Sequence, residues 1–162
     1  MIENISFRPI GTIHSPHKSA VGTPIQPTAA IGVLGTVELL PEYVEGIEDL
    51  DGFSFIILLY HFDRAKETRL TVKPFLDDKS HGVFSTRAPT RPNHIGLSIV
   101  RLNNIEGNIL HIEDVDILDG TPLLDIKPYI DDFDVRTSIK QGWIESNIEK
   151  LPGKKDDGRF FA

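Results

Sequence analysis

Eight short segments rich in β-branched and aromatic residues, each bounded by Gly, Pro or Asp, constrain this chain more than anything else in it. They run from Phe7 to Ile13, Ile31 to Leu39, Phe53 to Phe62, Arg69 to Lys73, Gly82 to Thr86, Leu97 to Leu102, Asn108 to Ile117 and Leu123 to Tyr129. Segments of this length and composition read as strands. Asn103-Asn104-Ile105-Glu106-Gly107 is a turn-rich link that joins two of them as a hairpin. Only Pro41 to Leu50 and a C-terminal stretch from Val135 to Lys150 look helical. In the latter, Ile139, Trp143, Ile144 and Ile148 recur at spacings near three to four. Many short strands with Gly/Pro turns and few helices predict a mainly β fold, a small barrel or a closed, twisted sheet.

The chain has 162 residues and is 40% hydrophobic, enough for one cored domain. It contains no cysteine, which removes disulfides, thiolate metal sites, iron-sulfur clusters and cysteine nucleophiles, and agrees with a reducing compartment. The longest apolar run, Phe53 to Tyr60 broken by Ser54, is too short to span a bilayer, and the N-terminus has no basic region leading into an apolar signal core. A soluble, cytoplasmic protein is expected. The net charge of −7 would normally argue against nucleic acid. Its distribution says otherwise: from His61 to Arg101 eight Lys or Arg stand against four acids, so this stretch is +4 and the remainder −11. A solvated face with ordinary charge scatter would look the same.

No G-x-G-x-x-G lies between a strand and a helix, and there is no Walker lysine motif, so a familiar dinucleotide site is not expected. The six histidines are scattered and no pair has helical metal-ligand spacing, so no metal is expected either.

Four clusters remain. Thr23-Pro24-Ile25-Gln26-Pro27 is a proline-stiffened loop in which Gln26 offers both a donor and an acceptor; a rigid surface turn is its plainer reading. Tyr60-His61-Phe62-Asp63 ends the most apolar strand, where ligands gather at the mouth of a sheet; a histidine that caps a buried strand fits equally. In Ser85-Thr86-Arg87-Ala88-Pro89-Thr90-Arg91-Pro92-Asn93-His94-Ile95-Gly96-Leu97-Ser98, two prolines restrict the arginines flanking them, and Gly96 allows a close approach. Held guanidiniums suit a carboxylate, a phosphate or a nucleotide, or they brace the loop against the chain's surplus carboxylates. Finally, Asp116 to Tyr129 opens with a tight Asp119-Gly120 turn, and on the following strand Asp125, Lys127 and Tyr129 fall on one face. Carboxylate, ammonium and phenol together could do acid/base or orienting work, as could any exposed strand face.

GVFSTRAPTRPNHIGLSIVRL together with DILDGTPLLDIKPY resembles the TsaA-like (TrmO-type) family of S-adenosylmethionine-binding proteins. Its characterised bacterial members methylate N6 of the threonylcarbamoyl-modified adenosine beside the anticodon of tRNA. IGTIHSP, TPIQP and LLYHF extend the resemblance over roughly residues 7 to 130.

The resemblance implies a small antiparallel β-barrel over residues 1–130, with residues 131–162 a short C-terminal helical extension and tail. It also implies a homodimer with S-adenosylmethionine near the subunit interface and tRNA as the methyl acceptor. Carried over to donor binding are Pro24, Ile25, Gln26, His61, Phe62, Arg87, Leu97 and the turn Asp116, Ile117, Leu118, Asp119, Gly120 and Thr121. Asp125, Lys127 and Tyr129 match a motif placed beside the reacting centre. Arg64, Arg69 and Arg91 are then available to RNA phosphates. The alternative is a module that binds or senses S-adenosylmethionine without catalysis.

Overall fold

The computed structural model describes residues 3–161. Six of its strands close into one antiparallel barrel. In chain order they are β1 (Gly11–His14), β2 (Leu34–Leu39), β3 (Phe55–His61), β6 (Ile95–Glu106), β7 (Ile109–Glu113) and β8 (Thr121–Pro128). Two short strands, β4 (Thr71–Val72) and β5 (His81–Gly82), pair separately in the excursion between β3 and β6. Around the barrel the order is β1-β2-β7-β6-β3-β8, and β8 returns to β1 through Gly11 opposite Leu123. Closure removes every free edge.

Alternation decides what fills the inside. Ile56, Leu58 and Tyr60 of β3 point inward, as do Ser98, Val100 and Leu102 of β6 and Leu110 and Ile112 of β7. With Ile13, Val37, Leu39, Val115, Ile117 and Leu123 they form one core. A barrel this narrow has room only for side chains. Gly96 sits opposite Tyr60, and a Cβ there would lie 2.2 Å from the tyrosine ring. The close approach that this glycine permits is therefore to the chain's own Tyr60.

Several boundaries differ from the sequence expectation. The link Asn103–Gly107 is not a loop: β6 continues to Glu106 through a bulge at Asn103, and the hairpin turns at Gly107-Asn108. Side-chain bonds from Asn103 to Glu113 (3.2 Å) and from Asn104 to Glu106 (3.0 Å) keep these poor strand formers in place. The segment Pro41 to Leu50 is a 3₁₀ turn over Pro41–Ile47, followed by a second at Leu50–Gly52.

The helix expected over Val135 to Lys150 does not form. A single turn, α1 (Asp131–Asp134), is followed by irregular chain and then by 3₁₀ turns at Gly142–Ile144 and Ile148–Gly153. Gly142 takes φ +60°, which interrupts a right-handed helix, and Ile139 is 97% exposed rather than on a core face. The apolar spacing serves a different purpose here. Trp143, Ile144 and Ile148 line a cleft, and Phe160 is buried against Val72, Val83 and Ala88.

Candidate functional site

The strand ladder delivers three loops to one end of the barrel: the chain after β1, the excursion between β3 and β6, and the turn between β7 and β8. Between them lies a cleft of about 1260 Å³. That exceeds the roughly 300–1,000 Å³ of a small-molecule pocket and leaves room for a second substrate.

The structure brings most of the anticipated residues together here. Pro24, Ile25 and Gln26 line the cleft from the first loop, Phe62 from the end of β3, and Arg87 and Leu97 from the excursion and β6. Asp116, Ile117, Leu118 and Thr121 line it from the last turn. Arg87 donates from Nη1 to Oε1 of Gln26 at 2.9 Å, joining two clusters 61 residues apart in sequence. Its neighbours Thr86, Ala88, Pro89 and Thr90 are buried, so an exposed guanidinium stands on an anchored backbone. The prolines stiffen a loop that burial also fixes.

His61, Asp119 and Gly120 lie outside the lining. His61 is on the outer face of β3, its ring stacked on His94 at 6.2 Å. Asp119 holds the turn together: its carboxylate accepts from the Ser15 amide (3.0 Å) and from Lys18 Nζ (2.6 Å). These donors hold the Asp119 carboxyl below the usual carboxylate range. Gly120 adopts φ +81°, the left-handed conformation this turn requires.

A buried polar chain went unnoticed in the sequence. Ser98 Oγ donates to Asp116 Oδ1 at 2.7 Å, and Tyr60 Oη lies 3.0 Å from the same serine oxygen. With the serine hydrogen committed to Asp116, the tyrosine hydroxyl donates to the serine. Enclosure pushes the Asp116 carboxyl up to about 7, against the opposing effects of the Ser98 bond and of Arg87. Burial, reinforced by the Asp116 charge, raises the Tyr60 phenol as well. Strict alternation from Ile56 through Leu58 would have put Tyr60 inside; nothing local marked Ser98 as its partner.

The set Asp125, Lys127 and Tyr129 does share one face, the outer one. Lys127 Nζ pairs with Asp125 Oδ2 at 2.7 Å, and both are well exposed. Tyr129 packs edge-on against Phe55 at 6.2 Å and reaches the cleft, whereas Asp125 and Lys127 do not. A bulge makes this possible. Leu123 is buried and pairs with Tyr60, yet Asp125 pairs with Leu59, so Leu124 is the extra residue that turns the rest of β8 over.

Each of the three arginines assigned to RNA has a partner within the chain. Arg64 Nη2 donates to the carbonyl of Asp119 at 2.6 Å, and Arg69 pairs with Glu67 at 2.7 Å. Arg91 Nη1 donates to the carbonyls of Thr86 (3.1 Å) and Ala88 (3.2 Å), bracing the loop that carries Arg87. Arg64 and Arg91 also line the cleft.

The donor set of the cleft fits a ligand with a cationic centre, an anionic end and an apolar body. Asp116 is an enclosed carboxylate whose one side-chain donor among the described residues is the neutral Ser98 hydroxyl, an environment suited to a cation. Arg87 and Gln26 add donors for a carboxylate, and Phe62, Ile117 and Leu118 supply apolar wall. A closed antiparallel barrel that carries its polar site on end loops belongs to the mainly β ligand-binding proteins, not to the doubly wound ones.

The family model for the tRNA-methyltransferase O N-terminal domain matches residues 12–135, and the chain belongs to that family. It is 58% identical over 158 residues to a Pyrococcus abyssi protein described as a probable S-adenosyl-L-methionine-binding protein, covering 98% of this chain and 86% of that one. It is 37% identical over 140 residues to a mouse tRNA (adenine(37)-N6)-methyltransferase, covering 81% of this chain and 32% of the mouse protein. A crystal structure of TrmO superposes with a TM-score of 0.74 at 42% identity over 86% of this chain, and a TrmO structure from Pseudomonas aeruginosa with 0.73 at 39% identity over 87%. The chain spans 64% and 63% of those two solved chains, respectively.

Proposed function

We propose that this protein binds S-adenosylmethionine in the cleft and transfers its methyl group to N6 of a threonylcarbamoyl-modified adenosine beside a tRNA anticodon. The observation that carries the reading is the convergence of Pro24–Gln26, Arg87 and Asp116, Ile117, Leu118 and Thr121 on one cleft in a member of this family. The bound donor supplies an electrophilic methyl carbon on a cationic sulfur, so attack by nitrogen breaks one C–S bond, forms one N–C bond and releases a proton.

The protein's share is alignment. Arg87 and Gln26 hold an anionic end of the donor, and Asp116, once ionised, faces its positive end. Asp125 and Tyr129 are assigned to orient the attacking nitrogen or accept its proton, with Lys127 paired to Asp125. Remaining N–H groups of Arg64, Arg69 and Arg91 meet phosphates. No helix among the described residues is long and apolar enough to cross a membrane, which suits work on tRNA in the cytoplasm.

Asp125 and Lys127 stand apart from the cleft, and a homodimer resolves this. Ile95, Leu97 and Ile99 of β6 are 37%, 44% and 37% exposed on the outer face, beside Ile57 and Leu59 of β3 and next to Asp125 and Lys127 of β8. A second copy covering this stripe would bring the trio to an intersubunit site.

The test is methyl transfer from labelled donor to fully modified tRNA, with Arg87→Ala expected to abolish it. Donor binding without transfer to any tRNA would replace the enzyme by a binding or sensing protein, which the ion-paired Asp125–Lys127 couple favours. Failure to bind the donor would remove the reading altogether.

A further inference from the structure

Pro24–Gln26 and Arg87 belong to loops outside the barrel strands, and the bond linking them directly is a single exposed one, Arg87 to Gln26. One exposed hydrogen bond, made in competition with water, is too little to fix two loops against each other. What spans both loops is the C-terminal arm, residues 142–161, which lies beyond the matched family domain.

On the first loop the arm adds a short antiparallel pairing. The Gly22 amide donates to the carbonyl of Asp156 at 2.7 Å, the Asp156 amide donates to the carbonyl of Thr23 at 2.8 Å, and Pro24 bridges Lys155. On the Arg87 side it is anchored twice. Trp143 stacks on His81 at 4.7 Å and donates from Nε1 to the carbonyl of Ser85 at 2.8 Å. Phe160 is buried against Val72, Val83 and Ala88, the residue next to Arg87, and meets Phe75 edge-on at 5.1 Å. The arm is braced internally: buried Asn147 donates to the carbonyl of Trp143 (2.9 Å) and accepts from Lys150 (2.6 Å). A β-pairing at one end and two aromatic anchors at the other join loops that are far apart in sequence.

Building on the donor-binding reading above, we propose that this arm is a positioning element of the donor cleft, clamping the Pro24–Gln26 loop to the Arg87 loop before the ligand arrives. Trp143 and Phe160 are its positioning residues. Preorganisation of this kind appears as affinity, because the ligand no longer bears the cost of ordering the loops. By linkage, whatever the arm does for the donor, the donor does for the arm.

The experiment has two arms. Hydrogen exchange on the unaltered protein should show the Gly22 and Asp156 amides slowed at least about tenfold by S-adenosylmethionine, with β7 amides unchanged. Calorimetry should show donor Kd raised at least about tenfold in Trp143→Ala and in Phe160→Ala, with Trp143→Phe intermediate and the solvent-facing Ile139→Ser at the wild-type value. Wild-type affinity in both alanine variants, or arm exchange indifferent to the donor, overturns the proposal. Should Phe160→Ala not fold, the exchange measurement and Trp143→Ala still decide it. Unaltered protein that binds no donor overturns the cleft assignment itself, and the clamp with it.

Discussion

The barrel has one interior and two contrasting exteriors. Across β3 and β6 the outward residues include Ile57, Leu59, Ile95, Leu97 and Ile99, with His61 and Arg101 at the ends; across β1, β2 and β7 they include His14, Thr36, Glu38 and His111, with Leu34 the exposed apolar exception. On this second face His14 lies 3.2 Å from Glu38, and His111 lies 3.4 Å from Glu106. The inward residues are mostly aliphatic on both sides, Tyr60 and Ser98 being the exceptions on the first. The contrast therefore owes nothing to folding the barrel. It fits the homodimer proposed above, in which the β3 and β6 face, whose Ile95, Leu97 and Ile99 also line the cleft, meets a second copy.

The largest effect that would test this contrast is on association. Ile57→Glu should weaken self-association at least about hundredfold, because a lone charge would be buried against the partner, while Thr36→Glu should leave it unchanged. Sedimentation velocity reads both; equal masses for the two variants would break the comparison.

Next come two glycines, one behind each face. A Cβ at Gly35 would meet the His14 carbonyl at 2.6 Å, whereas at Gly96 it meets the Tyr60 ring. Gly35→Ala and Gly96→Ala should each cost about 1–3 kcal/mol in urea unfolding. Only Gly96→Ala should also weaken donor binding, because displacing Tyr60 disturbs Ser98 and Asp116.

A smaller effect concerns pH. The Asp116 carboxyl, at 3.8 in an unfolded chain, stands at about 7 in the fold. A raised carboxyl favours the native state in full below the unfolded value, and that contribution is lost as pH climbs toward 7. Donor affinity should run the other way, rising about tenfold through pH 7 as the carboxylate forms to meet a cation. Calorimetry of Asp116→Asn should show no such rise. The smallest effect belongs to the polar face: Glu38→Gln should change stability by less than about 1 kcal/mol, as exposed pairs do, and a larger loss by thermal melting would show that this face is more than a solvated surface.

Much of the barrel was legible because period-two alternation survives in β3 and in β6 as far as Leu102, where every second residue is buried. The cleft was partly legible, since Pro24–Gln26, Arg87 and Asp116 sit in loops whose turn chemistry is local. Three things were hidden because they depend on distant partners. The Val135–Lys150 pattern looks helical, but Trp143 and Ile148 answer to the cleft and not to one another. Ser98 is an ordinary strand serine until Tyr60 and Asp116 flank it. Arg64 and Arg91 read as free cations, yet each finds a backbone carbonyl.

Leu124 carries a consequence of its own. Leu123 and Asp125 have the same parity along β8, and the leucine is in the core while the aspartate faces out, solely because one residue is doubled against Tyr60 and Leu59. Straighten the bulge, so that Leu124 pairs with Leu59, and the downstream half of the strand turns over, sending the Asp125 carboxylate into oil and Ile126 into water. The exterior chemistry of this strand thus hangs on where one residue is doubled, more than on which side chains were supplied.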